Sequence, residues 1–169
     1  MQTFPAFETF AAAYDAGKPA VVWTRLVTDM ETPVSAMLKL AEGLPYSFLL
    51  ESVEGGAIRG RYSLIGFKPD VIWRCDRGKA EINRQARQNP AAFEPIAGKA
   101  MDSLRALIHE CRIDMPAELP PMASGLFGYM GYDMVRLMER IPDGNPDPLG
   151  VPDSIFMRPT VMVVFDRLE

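Results

Sequence analysis

The sequence has 169 residues and a mass of 18.8 kDa, which suits one domain of ordinary size or one layer of something larger. Hydrophobic residues make up 48% and charged residues 24% of the chain, which argues against a disordered chain, a collagen-like repeat or a coiled coil. The net charge of -4 and the pI near 5.1 argue against a nucleic-acid partner, because the overall field repels phosphates.

Cysteine usage and hydropathy favour the cytoplasm. Cys75 and Cys111 form no C-x-x-C pair and the chain has a single histidine, so neither a disulfide framework nor a zinc site is indicated. The N-terminus lacks a basic segment followed by an apolar one, and no apolar run approaches the ~20 residues that span a bilayer. We therefore expect a soluble cytoplasmic protein.

The first third of the chain predicts two helices around one strand. Aromatic residues at helical spacing predict a helix over about 5–16 whose aromatic stripe faces a core. The β-branched and aromatic run 20–27 predicts a strand. A second helix is predicted to begin with Thr32 as its cap and Pro33 at its first position, and to end at Gly43.

The middle of the chain predicts a meander of strands. Residues 46–53 begin apolar and end polar, 59–67 resume as an extended segment, and 71–75 are predicted to pair with 79–84 across a turn. Residues 85–98 are polar and rich in alanine, which is typical of a surface loop.

The last third adds a third helix from Met101 to Cys111, a glycine-rich strand over 124–132 with close backbone approach, and a short helix through 134–141. The apolar run 159–166 predicts a strand buried on both faces. Such a strand needs more neighbours than the upstream residues supply, so we expect a segment of a longer protein. The predicted fold class is α+β, a mainly antiparallel sheet layer with peripheral helices.

Familiar catalytic motifs are absent from the sequence. It contains no H-E-x-x-H, no G-x-S-x-G and no phosphate-binding G-x-x-x-x-G-K-[ST]. The alternating Asp143, Asn145 and Asp147 resemble a calcium loop, but Pro148 stands where the glycine turn is required. His109 has no acidic or histidine neighbour at ligand spacing, so a helix-surface histidine is the better interpretation.

Glu51 and Ser52 are the exception, because they place a carboxylate and a hydroxyl at the end of an otherwise apolar strand. Such groups can bind the charged ends of an amino acid. The simpler interpretation is a strand that runs into solvent. Consecutive strand residues also point to opposite faces, so both side chains meet one ligand only if a bulge, a twist or a backbone amide intervenes.

Four motifs together resemble the N-terminal region of anthranilate synthase component I, a chorismate-utilising enzyme. They are Thr-Pro-Val-Ser-Ala-Met-Leu-Lys-Leu at 32–40, Leu-Leu-Glu-Ser at 49–52, Gly-Arg-Tyr-Ser-Leu-Ile-Gly at 60–66 and Gly-Leu-Phe-Gly-Tyr-Met-Gly-Tyr-Asp at 125–133. Their order and spacing are typical of the family. The second and third motifs favour the anthranilate enzyme over its aminodeoxychorismate synthase relative.

The resemblance implies that the parent enzyme is a lyase that converts chorismate to anthranilate and pyruvate in tryptophan biosynthesis. It implies magnesium as the parent's cofactor and a glutamine amidotransferase subunit as the partner that delivers ammonia. It also implies that residues 1–169 are the N-terminal region and that the C-terminal chorismate- and magnesium-binding region lies beyond them. We therefore predict no catalytic residue in this chain and no activity of the chain alone.

The resemblance places a feedback site for L-tryptophan on the Leu-Leu-Glu-Ser strand. Its implied residues are Ser52, Glu51 and Leu50, with Ser63 and Tyr62 of the following strand as further wall residues. Two alternatives stay open. The chain could come from an aminodeoxychorismate synthase of folate synthesis, in which a similar pocket need not serve feedback, or it could be a stand-alone amino-acid-binding module.

Overall fold

The computed structural model describes residues 2–51, 60–142, 144 and 146–168. Its centre is a six-stranded antiparallel sheet, and this confirms the predicted α+β fold with a mainly antiparallel sheet. The helices and strands are α1 (Phe7–Asp15), α2 (Pro33–Ala41), β1 (Phe48–Glu51), β2 (Tyr62–Asp76), β3 (Lys79–Asn83), β4 (Glu94–Pro95), α3 (Ala100–Glu110), β5 (Phe127–Met130) and β6 (Ser154–Asp166).

Two long strands, β2 and β6, form the axis of the sheet. They pair from Tyr62 opposite Asp166 to Cys75 opposite Ser154. On the other side of β2, β1 pairs with its first half and β3 with its second half, while β4 extends the sheet beyond β3. β5 pairs with the beginning of β6. Most of the predicted segment 59–67 and all of 71–75 therefore belong to one strand, which begins at Tyr62. Residue 59 lies outside the described residues.

A register shift in the middle of β2 lets one strand supply two cores. The shift lies between Pro69 and Val71, and an extra residue there reverses the side of the sheet that the following side chains face. Before the shift, Ile65 and Phe67 pack with residues of α2. After it, Val71 and Trp73 pack with residues of α3. α2 and α3 therefore cover opposite faces at opposite ends of the sheet.

The sequence fixes the start of α2 through its capping residues. Thr32 and Ser35 form a capping box, because each side chain bonds the backbone N–H of the other at 3.1 and 2.9 Å. Pro33 occupies the first helical position, where its missing N–H costs nothing. Gly43 follows the helix with a φ of 71°. The predicted limits of this helix are confirmed.

The core around α3 is the more completely buried one. Trp73 has no exposed surface, and its indole N–H donates to Ser103 Oγ at 2.9 Å. Leu104 and Leu107 of α3 reach the same core. The predicted close approach of the glycine-rich strand is also confirmed, because a Cβ on Gly128 would lie 1.9 Å from the carbonyl oxygen of Ile155.

Two predictions for the N-terminal segment are wrong. Residues 20–27 form no strand; instead Trp23 makes an isolated bridge with Phe4, and the two rings stack at 4.6 Å. The aromatic stripe of α1 does not face a core. None of its residues is buried, and the Phe7 and Tyr14 side chains are 75% and 72% exposed. Helical periodicity predicted the helix, but it does not determine whether another part of the chain covers the aromatic side of that helix.

Two predictions for the C-terminal half also need correction. The segment predicted as a short helix forms a 3-10 helix, Tyr132–Leu137. β6 is not buried on both faces as predicted, since Ser154 is its only fully buried residue and the others are partly or largely exposed.

Asp143 and Asn145 of the rejected calcium loop lie outside the described residues. Within the described ranges, no helix is long and apolar enough to cross a membrane.

Candidate functional site

An open depression of about 600 Å³ lies where β1 meets the beginning of β2. This volume falls within the range of small-molecule sites, which run from roughly 300 to 1,000 Å³. Most of the lining is apolar, and charged side chains stand at one end. The lining residues are Leu49, Leu50, Glu51, Gly60, Arg61, Tyr62, Leu64 and Met122.

The pairing of β1 with β2 assembles this lining. Leu50 lies opposite Leu64, and Glu51 lies opposite Ser63, so the polar end of β1 stands beside the beginning of β2. Met122 comes from a different part of the chain, the 3-10 helix Pro121–Ala123 that precedes β5. Apolar residues from three segments thus surround one strand end that carries a carboxylate.

Two ion pairs border the depression. Arg167 Nη2 donates to Glu51 Oε1 at 3.1 Å, and these side chains are 34% and 29% exposed. Arg61 binds Asp166 through two hydrogen bonds of 2.8 and 2.6 Å. The hydrogen bonding from Arg61 lowers the pKa of the Asp166 carboxyl from its ordinary value. Each of these two carboxylates is therefore partnered by an arginine.

Tyr62 and Ser63 differ in their relation to the depression. Tyr62 lines it, half-buried, and the Arg61 guanidinium lies 4.8 Å from the centre of its ring. Ser63 is fully buried and is not among the lining residues. Its side chain alternates with those of Tyr62 and Leu64, so it faces the α2 side of the sheet. The Ser63 hydroxyl has no hydrogen-bond partner in the described part of the chain.

The sequence-predicted site is therefore brought together in part. Glu51, Leu50 and Tyr62 line one depression, and Leu50 is 51% exposed there. Ser63 stands directly opposite Glu51 in the sheet but is not among the residues that line the depression. Ser52 lies outside the described residues. The role of all five in binding an amino acid stays a prediction.

Sequence reasoning missed the contribution of Met122, Asp166 and Arg167. The signal for the two charged residues was available, since Asp166 and Arg167 end an apolar strand in the same way that Glu51 ends β1. The missing step was the pairing of Tyr62 with Asp166, two residues that are 104 positions apart in the sequence and become neighbours only in the folded sheet.

The donor set does not fit a metal ion. Among the described residues, no three side chains of His, Cys, Asp or Glu converge as ligands. The carboxylates nearest the depression, those of Glu51 and Asp166, are each bound by an arginine. No step proposed for this chain passes through magnesium.

Comparison with known proteins gives matches along nearly the whole chain. The chain is 56% identical over 164 residues to anthranilate synthase component 1 of Cereibacter sphaeroides, covering 97% of this chain and 33% of that protein. It is 42% identical over 147 residues to anthranilate synthase component 1 of Thermus thermophilus, covering 85% of this chain and 29% of that protein. No protein-family model matches the chain.

A solved structure has the same fold. Anthranilate synthase component I from Streptococcus pneumoniae aligns with a TM-score of 0.52 and 24% identity, over 86% of this chain and 29% of that one. The fold match and the sequence matches point to the same enzyme component, anthranilate synthase component I. The chain is homologous to the N-terminal region of anthranilate synthase component 1, and it spans about a third of the length of the curated relatives it matches. The predicted resemblance is confirmed.

Proposed function

We propose that this chain is the N-terminal, tryptophan-sensing part of an anthranilate synthase large subunit. The parent would convert chorismate to anthranilate and pyruvate, with magnesium and with ammonia from a glutamine amidotransferase subunit. The chain itself would carry the receptor for L-tryptophan and no catalytic group. Purified chain given chorismate and ammonia should therefore form no fluorescent anthranilate above a control without protein.

The depression beside Glu51 is the observation that carries the proposal. An amino acid with a large apolar side chain presents an apolar surface and two charges. The depression offers Leu50, Leu64 and Met122 for the apolar surface and the Glu51 carboxylate for the ammonium. Its volume of about 600 Å³ has room for an indole ring.

Binding at this place would act on turnover only through a change of state. Because the proposal gives this chain no catalytic group, an amino acid bound here inhibits only by binding one global state of the parent better than another. β1 and β6 both end at the depression and both pair with β2. A ligand that holds these strand ends together would favour one packing of this region against the catalytic region of the parent.

Exposed apolar surface favours a part of a larger enzyme over a stand-alone module. Large apolar side chains are strongly exposed in the segment between α1 and α2 and on α2 itself; they include Val27 at 90%, Met30 at 95% and Leu38 at 55%. Surface of this kind on a soluble protein marks a contact with another partner. A self-sufficient binding module would bury these side chains.

The direct test is calorimetry of L-tryptophan binding to the chain. Glu51→Gln should weaken binding about tenfold, because a charged hydrogen bond contributes roughly 1.5–3 kcal/mol. Asp102→Asn is the matched control: it also removes an arginine-paired carboxylate, but on α3, and it should leave binding unchanged. Absence of binding, or an equal loss in both variants, would contradict the proposal.

Inhibition of the full-length parent distinguishes an anthranilate synthase from an aminodeoxychorismate synthase. In a full-length anthranilate synthase that contains this chain, Glu51→Gln and Ser52→Ala should raise the tryptophan concentration that gives half-maximal inhibition. A parent that tryptophan does not inhibit would instead favour the aminodeoxychorismate synthase alternative. Loss of turnover without loss of inhibition would show that the Glu-Ser pair is misassigned.

A further inference from the structure

We infer that Arg167 is a second charged residue of this site and binds the α-carboxylate of the amino acid whose α-ammonium binds Glu51. The inference rests on the proposed function, because it requires an amino acid in the depression. It goes further by assigning the α-carboxylate of the ligand to Arg167, a residue outside the four motifs that carry the resemblance.

The position of Arg167 ties it to the lining. Its backbone N–H donates to the carbonyl of Arg61 at 3.1 Å, and its guanidinium donates to Glu51. Arg61 and Glu51 both line the depression. Arg167 thus stands at the charged end, where the tip of β1 and the chain just after β6 meet across β2.

The Glu51–Arg167 pair has unused hydrogen-bonding capacity. It is joined by one hydrogen bond of 3.1 Å, so Glu51 Oε2 and the Nε and Nη1 groups of Arg167 have no partner among the described residues. The neighbouring Arg61–Asp166 pair differs, since two bonds of 2.8 and 2.6 Å occupy both carboxylate oxygens. A carboxylate accepts several hydrogen bonds and a guanidinium offers five N–H groups. The Glu51–Arg167 pair can therefore form further hydrogen bonds to a ligand, while in the Arg61–Asp166 pair both carboxylate oxygens are already bonded.

The charges of the pair match those of an amino acid. An α-ammonium and an α-carboxylate sit on one carbon atom, so they can meet Glu51 and Arg167 together and leave the net charge of the site unchanged. A ligand with only one of these groups binds one residue of the pair and leaves the other residue without its partner. An unpaired charge in a half-buried place is costly. The site should therefore select a zwitterion over the amine and over the acid.

The test is calorimetry with three ligands that share the indole ring: L-tryptophan, tryptamine, which lacks the carboxylate, and indole-3-propionate, which lacks the ammonium. In Arg167→Gln, tryptophan should bind about tenfold more weakly, since a charge-assisted bond is lost, while tryptamine should bind as before or more tightly because Glu51 is released. In Glu51→Gln, indole-3-propionate should be unaffected. Arg167→Lys should restore part of the tryptophan affinity.

The matched control is Arg105→Gln, which removes an arginine paired with Asp102 on α3 and should change no affinity. Equal weakening of tryptophan and tryptamine by Arg167→Gln would overturn the inference, because Arg167 would then act only by holding Glu51. In that outcome the proposed function stands. Failure of the unsubstituted chain to bind tryptophan would overturn the proposed function and the inference with it, and thermal melting curves of each variant exclude unfolding as the cause.

Discussion

The two ends of the central β2–β6 pair differ in how completely they are packed. At the α3 end, nine of the described residues form one buried core, and the indole N–H of Trp73 there has a side-chain partner. At the α2 end, the buried core within the described ranges has four residues, surrounded by partly exposed apolar residues such as Val163 and Phe165. The α2 end also holds the unpartnered Ser63 hydroxyl and the depression beside Glu51.

This difference suggests that the α3 end mainly stabilises the fold and that the α2 end is the one that can bind a ligand. A closely packed core gains its full burial energy but has no room for a ligand, whereas a loosely covered sheet end can accept one. The same strand serves both ends, because the register shift at Pro69 and Val71 directs its side chains to α2 before the shift and to α3 after it. We expect most of the folding free energy to come from the α3 end.

The largest expected effect is at Trp73. Trp73→Ala should lower the free energy of unfolding by about 3–5 kcal/mol, because it leaves a cavity in the buried core. Ser103 keeps a partner in this variant, since its hydroxyl also donates to the carbonyl of Ala100 at 2.7 Å. Phe165→Ala at the α2 end should cost less than half as much. Equal losses in urea denaturation would contradict the contrast between the two ends.

A smaller effect of opposite sign is expected at Ser63. Ser63→Ala removes a buried hydroxyl that has no partner among the described residues, so it should raise the free energy of unfolding by about 1 kcal/mol. Ser154→Ala is the matched control, because Ser154 is equally buried but donates to the carbonyl of Tyr129 at 2.8 Å. That variant should lose stability. The comparison is made by urea denaturation of both variants, and a loss at Ser63 would indicate a bonded hydroxyl.

The smallest expected effect depends on pH at the α3 end. The Arg84 hydrogen bonds lower the pKa of the Glu110 carboxyl below its ordinary value of 4.5. The ion pair therefore stabilises the fold fully above that value, and its contribution is lost as the pH falls through the lowered pKa. Both side chains are about half exposed, so solvent screening limits the effect to roughly 0.2–1 kcal/mol.

Glu110→Gln should reduce the loss of stability between neutral and acidic pH by that amount. Urea denaturation at a series of pH values measures it, with Asp102→Asn as a control whose ion pair is more exposed. An unchanged pH dependence in Glu110→Gln would show that this pair does not stabilise the α3 end.

Local rules in the sequence predicted the parts of the fold that local chemistry decides. The capping residues Thr32 and Pro33 start α2, and apolar residues at helical spacing mark α3. The glycine spacing around Gly128 indicated the close approach of β5 and β6. The four motifs gave the family resemblance, because each combines residue types whose order and spacing can be recognised without knowing their contacts.

Long-range pairing decided what the sequence could not. Whether the 20–27 run forms a strand depends on a neighbouring strand, and among the described residues Trp23 finds only an isolated bridge to Phe4. Arg167 acquires its place beside Glu51 because β2 pairs with β1 and β6 at once. Hydropathy and spacing report on neighbours along the chain, while a site built where strand ends meet depends on register, which only the folded sheet determines.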